Sequence, residues 1–509
     1  MMQMQQEAGI RGGIVMFSFR SFRNFGLTGS HTDRLPPPIL LSSITNTSPK
    51  QKLHPCSPLA KQHSPALVGP TIQVDPTFRY YQDRSAASIA DEIIQNGFVG
   101  VHYFVVNENN VNRELIEAFK QRGLYVWALV LGNGSYSVEG FPPEWPSWQM
   151  ELLKPVNDGY YRFSPHSKDY VQWKKQKLAQ LVRDYPFDGI EVAEPYFPEW
   201  DGIKRGVYGD VGPLAQAAFK EQYGHPRIPN FTNPRDPDYY LTNKALYQDW
   251  IDFRVKAVNS FLNEVMNGEG GVREARCDIL VATWSLAIDA GPDSVAKLRE
   301  LQGLDAAAMI SAVQPDLHFL QTHWPDWMKP QSKLPPQYIR SYQNFVDQIR
   351  AVHPNIPLGV QADIGSTLSM VKDRRWLQEF GEVAQDMGFS TWTAYEYHLG
   401  KYMYDEAPVP TAVARPQRDK VVISFQKRID EASAKRPGSV SIVTGKAELP
   451  LPPELISVDG NMLIIQSDQL PQSAFFLRIQ QIADTPAYWL YNKDKPANVM
   501  KGVTIVTVQ

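Results

Sequence analysis

The sequence predicts a (β/α)8 TIM barrel followed by a small all-β sandwich, and three observations predict it. Short apolar runs alternate with helical stripes from residue 70 to about 400, the pattern of parallel βα units. The candidate strands are apolar on both faces, as strands are when helices cover one side and a barrel interior lies on the other. Beyond Tyr404 the helical stripes stop and short alternating runs take over.

The strands are expected at 72–78, 99–106, 124–131, 187–194, 278–286, 317–324, 357–363 and 391–397. Between them, Ile89, Ile93 and Ile94 stripe one helix, and Leu115, Ile116 and Phe119 the next. Tyr338, Tyr342, Phe345, Val346 and Ile349 mark a later helix, and Trp376, Leu377, Phe380, Val383 and Met387 the last. Gly97, Gly123 and Gly388 follow three of these stripes, where a helix turns left-handed before the next strand. Eight units in one run favour a closed barrel. The rival, an open doubly wound sheet, carries a glycine-rich turn after its first strand, and 75–84 holds no glycine.

Long insertions follow the third strand (132–161) and the fourth (195–248). Loops after barrel strands build the functional face. These hold Tyr136, Phe141, Trp145, Trp148, Tyr196, Phe197 and Trp200, as sugar platforms or as packing for the loops themselves. Residues 1–68 carry Pro36, Pro37, Pro38 and much Ser, Thr and Gln, so they are expected to be a disordered or targeting segment. The barrel is assigned to 69–405 and the sandwich to 406–509, with Pro408, Pro410 and Pro416 marking a linker. Sandwich strands are expected at 421–425, 440–443, 462–466, 474–479 and 503–508.

The net charge of −3 over 509 residues argues against a nucleic-acid partner. No apolar run reaches the roughly 20 residues of a membrane span, and none near the start is long enough for a signal peptide. Of the two cysteines, Cys56 falls in the segment read as unfolded, so no disulfide with Cys277 is expected.

Glycoside hydrolysis needs two carboxyl groups flanking one bond. Glu194 closes the fourth strand, where Pro195 ends the ladder and leaves the carboxyl at the mouth. Glu396 closes the eighth strand and Asp363 the seventh; either can supply the second carboxyl, with Glu396 weighted above Asp363. Asp363 also fits a turn capped by Ser366. Glu191 points inward below Glu194, as a ligand or as a buried structural carboxylate. Asp188 fits an ordering role at the strand start with Gly189. Tyr196, Trp284, His323, Trp324, Trp392, Tyr395, His102, Tyr103 and Trp127 complete the candidate substrate-binding set. No histidine or carboxylate spacing supports a metal site, and no cofactor is expected.

The segments Gly123–Ala128, Phe163–Ser167, Phe187–Ile190, Ala217–Gly224 and Trp250–Arg254 together resemble bacterial glycosyl-hydrolase-like barrel proteins. Ala193-Glu194-Pro195 is similar to the Asn-Glu-Pro that closes strand 4 in a large clan of retaining glycosidases. The resemblance implies that Glu194 is the acid/base. It departs at Ala193, where the clan has Asn, and at Glu396, since the clan carries its nucleophile on strand 7. The segment 421–433 looks like the opening of bacterial Ig-like modules, which implies a secreted or cell-surface home. The resulting expectation is a glycosidase acting on a polysaccharide or oligosaccharide. The alternatives are a barrel that only binds glycan and, more remotely, a metal-dependent deacetylase.

Overall fold

The computed structural model describes residues 56–57, 61–198, 202–445 and 447–509. Eight parallel strands close a barrel: β1 (Gly69–Val74), β2 (Gly100–Val105), β3 (Tyr125–Leu131), β4 (Gly189–Ala193), β5 (Leu280–Ala287), β6 (Leu317–Thr322), β7 (Leu358–Asp363) and β8 (Thr391–Tyr395). Each strand pairs with its neighbours in sequence, and β8 returns to β1. The expected strands all form, and the glycines after the helical stripes take positive φ: Gly97 at 85°, Gly123 at 81° and Gly388 at 80°.

Alternation divides every strand between two cores. Ile72, Val74, Val101, Val126, Val130, Ile190, Val192 and Val360 face the helices, while Trp127, Leu129, Leu131, Ala193, Ala282, Trp284 and Phe319 fill the barrel. Gly189 exists because of this filling: a Cβ there would lie 2.2 Å from the Trp127 ring. Asp188, just before it, pairs with Lys120 at 2.5 Å and accepts the Val126 amide at 2.8 Å, the ordering role expected of it.

The base of the barrel corrects the expectation for the end of the N-terminal segment, at 61–68; residues 1–55 lie outside the described residues. Ala66 and Leu67 are buried with Leu280 and Leu317, and Lys61 donates to the Ile279 carbonyl at 2.8 Å. Cys56 and Cys277 form a disulfide, with Cα atoms 5.2 Å apart. Composition averaged over 68 residues hid a short apolar plug at its end.

The C-terminal part packs two four-stranded antiparallel sheets around one core. One sheet contains β9 (Pro410–Gln417), β10 (Lys420–Phe425), β13 (Ile456–Asp459) and β14 (Met462–Gln466). The other contains β11 (Val440–Thr444), β12 (Ala447–Pro450), β15 (Phe475–Gln480) and β16 (Val503–Val508). The proline-marked linker is therefore largely a strand; β9 is an edge, where proline costs no ladder bond. The sandwich is bound firmly to the barrel. Arg428 donates to the carbonyls of Tyr80, Gln82 and Asp83, and Trp489 joins the barrel–helix core. No helix among the described residues is long and apolar enough to cross a membrane.

Candidate active site

Glu194 follows the last residue of β4, with φ of 52°. A non-glycine residue in that left-handed region is strained and persists only where its surroundings hold it. The β3 insertion does the holding. Gly132 donates its amide to the Ala193 carbonyl at 2.7 Å, and a Cβ on Gly132 would lie 2.7 Å from the Pro195 Cα. Asn133 donates to the Tyr196 carbonyl at 3.1 Å. Two residues on, Gly134 clears the way for Tyr160, whose hydroxyl would lie 2.0 Å from an added Cβ. That hydroxyl donates to Glu194 Oε2 at 3.3 Å. Arg162 stacks over the Tyr160 ring at 5.1 Å and is paired to Asp158.

Glu194 keeps part of its surface open, yet the walls around it set its proton affinity. Burial pushes its carboxyl above the usual carboxylate range, against the opposing pull of the Tyr160 hydrogen bond and the Arg162 charge. Tyr136 packs on Tyr160, ring centres 4.7 Å apart.

The opposite wall comes from the ends of β7, β8 and β1. Asp363 is 7% exposed. Its Oδ1 accepts the amides of Gly365 and Ser366 at 2.9 Å, and its Oδ2 accepts the Ser366 hydroxyl. The turn capped by serine is thus formed, and burial raises the Asp363 carboxyl. Glu396 also has a left-handed backbone, with φ of 49°. It is 0% exposed and accepts from the Asp75 amide and from the Tyr81 hydroxyl at 2.6 Å. His398 lies 3.1 Å away. Burial raises Glu396 too. It therefore ties the β8 end to the turn after β1 rather than standing open at the mouth. Tyr395 is partly open, and Asp75, Glu396 and Asp363 all act on its hydroxyl.

Several candidates lie elsewhere than the mouth. Glu191, His102, Trp127 and Trp284 are buried inside the barrel. Glu191 bonds His102 Nδ1 at 2.5 Å and accepts from Trp284 Nε1 at 2.8 Å, so it is a structural carboxylate. Trp392 faces outward against Phe380 and Phe98, because its strand position has the parity of the helix-facing side. Tyr103 has that same outward parity, and its hydroxyl accepts the Asn112 amide at 3.0 Å. Phe141, Trp145 and Trp148 pack with Phe163 and Trp173 as part of the main helix-facing core. Phe197 is buried beneath Arg254. Trp200 lies outside the described residues.

His323 and Trp324 do follow the end of β6, and burial holds the His323 imidazole down to about 3, hence neutral. Tyr196 and Tyr395 remain at the mouth beside Glu194 and Asp363, respectively. Two residues escaped the sequence analysis. Asp75 ends a strand as Glu194 does, and the same rule would have found it. Tyr160 carried no signal of its own; the Gly132-Asn133-Gly134 run that admits it did. Among the described residues no group of three or more His, Cys, Asp or Glu is arranged to hold a metal ion.

No family model matches the chain, and no curated protein matches it. Among solved structures, it is similar to the glycoside hydrolase domain of PgaB (BpsB) from Bordetella bronchiseptica, with TM-score 0.46 and 15% identity over 65% of this chain and 94% of that one. It is also similar to an endo-beta-1,4-mannanase from Thermotoga petrophila, with TM-score 0.37 and 8% identity over 88% and 98%. The glycoside hydrolase domain of PelA from Pseudomonas aeruginosa gives TM-score 0.32 and 8% identity over 64% and 95%. Two of these structures are described as glycoside hydrolase domains and one as a mannanase, and likeness at this level carries no residue role to this chain.

Proposed function

We propose that the chain is a glycoside hydrolase acting on a polysaccharide or oligosaccharide, with Glu194 as its general acid. One observation carries this: the carboxyl of a half-buried residue at the mouth end of β4, pushed up by burial and held by a tyrosine hydroxyl. Such a carboxyl keeps its proton closer to neutrality and can give it to a leaving glycosidic oxygen. Asp363 is the proposed partner, because it closes β7 across the mouth. Glu396 is the weaker choice, being wholly enclosed by its donors. The Ig-like likeness of the C-terminal strands and the Cys56–Cys277 pairing support secretion or surface display, since disulfides persist in oxidising compartments.

Replacing a general acid typically costs about 10²–10⁴-fold in rate. Glu194→Gln is expected to lose that much turnover, measured as reducing ends released from a panel of glycans, with melting unchanged. Full turnover in this variant would reject the assignment. Asp363→Asn should lose a similar factor, and the anomer released, read by NMR, distinguishes retention from inversion. A binding-only barrel is the second reading, favoured by the complete hydrogen bonding of Asp363 and by Ala193. It requires saturable glycan binding with no reducing ends released by the unmodified protein.

A further inference from the structure

We infer that the β6–β7–β8 side of the barrel mouth grips a non-acidic, hydroxyl-bearing sugar ring through Gln321, Gln361, Thr393 and Tyr395. The inference rests on the carbohydrate reading above and deepens it. These four side chains share the inward parity of their strands, since Leu320, Val360, Ala362 and Ala394 face the helices. They are neighbours in register: Gln321 pairs with Gln361, Gln361 with Thr393, and Tyr395 with Asp363. Across the barrel, Phe104, Leu129, Leu131 and Ala193 give an apolar surface.

Gln321 Oε1, Gln361 Oε1, Thr393 Oγ1 and the Tyr395 hydroxyl are buried without a hydrogen-bond partner. Elsewhere in the same interior polar groups are paired: Thr71 bonds His102, His102 bonds Glu191, and Glu191 bonds Trp284. A buried polar atom left unpaired destabilises the fold, and a chain needing only a core would place Leu or Val at these positions. Four such atoms on three adjacent strands, level with Asp363 or below it, are explained by a ligand that completes them. Gln321 and Tyr395 are half-buried residues, while Gln361 and Thr393, at 4% and 0% exposure, form the floor.

The chemistry of the wall selects the ring. Amides and hydroxyls both give and take hydrogen bonds, as sugar hydroxyls do. A uronate or sulfated ring would bring its anion towards Asp363, Asp75 and Glu396, which already act on the Tyr395 hydroxyl. Lys372 is the cation that acts on Asp363, but its ammonium is committed to the carbonyls of Lys329 and Met370 at 3.0 and 2.6 Å and one lysine does not balance three carboxyl groups. The apolar side then meets the C–H face of the same ring.

The test uses the full chain carrying Glu194→Gln, titrated calorimetrically with gluco-, manno-, N-acetylglucosamine, glucosamine and galacturonate oligosaccharides. At least one of the four non-acidic series is expected to bind, and galacturonate is not. Adding Gln321→Leu or Gln361→Leu should weaken that binding about tenfold, the worth of a hydrogen bond or two. Melting should hold or rise, because an unpaired polar atom has gone. Preferred binding of galacturonate overturns the proposed class. An unchanged Kd in both leucine variants, or a fall in melting without loss of affinity, overturns the role of the amides. If the Glu194→Gln chain binds none of the series, the carbohydrate reading itself fails, and this inference with it.

Discussion

At Glu194 the backbone and the carboxyl are both held away from their preferred states. The left-handed φ of 52° is sustained by the Gly132 and Asn133 contacts, and the raised proton affinity by burial. Tyr160 works against the second, because its hydroxyl stabilises the charged carboxylate. Removing that hydroxyl must therefore lift the Glu194 carboxyl further. A general acid is active while protonated, so its activity is present at low pH and lost as pH rises through the raised pKa. Tyr160→Phe is expected to move the basic limb of the kcat/KM profile to higher pH; a limb that stays or moves down would remove Tyr160 from this role. The alternation that placed Glu191 inward was sound, but sequence could not say that His102 and Trp284 would meet it there. Those partners lie 89 and 93 residues away, and only closure of the barrel brings them together.

Among the elements, the strands were legible because each is a local run of apolar residues, and the glycines ending helices act within a few residues. The β3 insertion was not, because its work depends on contacts across the chain. Gly134 pairs with Arg162 and lies under the Tyr160 hydroxyl, neither of which periodicity reveals. Its φ is not left-handed, so an alanine there has no left-handed backbone penalty, and the three atoms nearest its Cβ all belong to the tyrosine. Gly134→Ala should displace Tyr160 from Glu194 with little change in melting. A displacement of about 1 Å near a reacting group can cost on the order of 100-fold, and kcat/KM is expected to fall by up to that factor. The pH limb should shift the same way as in Tyr160→Phe, since both withdraw the same hydroxyl. A fall in rate with the limb unmoved would mean that Gly134 acts on the site by another route.

Among the described residues, the segments before and after the barrel are tied to its opposite ends. The C-terminal module reaches the mouth side: Tyr491 donates to the Ser366 carbonyl, in the turn that Asp363 caps, and Lys427 pairs with Asp484 beneath Trp489. The N-terminal side closes the base, through Ala66, Leu67 and the Cys56–Cys277 bond. Neither tie has a sequence signature, since each joins segments more than a hundred residues apart. The disulfide is the more consequential for stability. It spans 221 residues, and a crosslink closing a long loop removes chain entropy from the unfolded state, typically about 2–5 kcal/mol. Reduction should therefore lower the melting temperature of the intact protein. Cys277→Ser should melt at that lower temperature with or without reductant, because the crosslink is already gone. Two alkylatable thiols under non-reducing, denaturing conditions, with melting indifferent to reductant, would show the pairing absent and leave the base held by Ala66, Leu67 and the Lys61 bond to Ile279 alone.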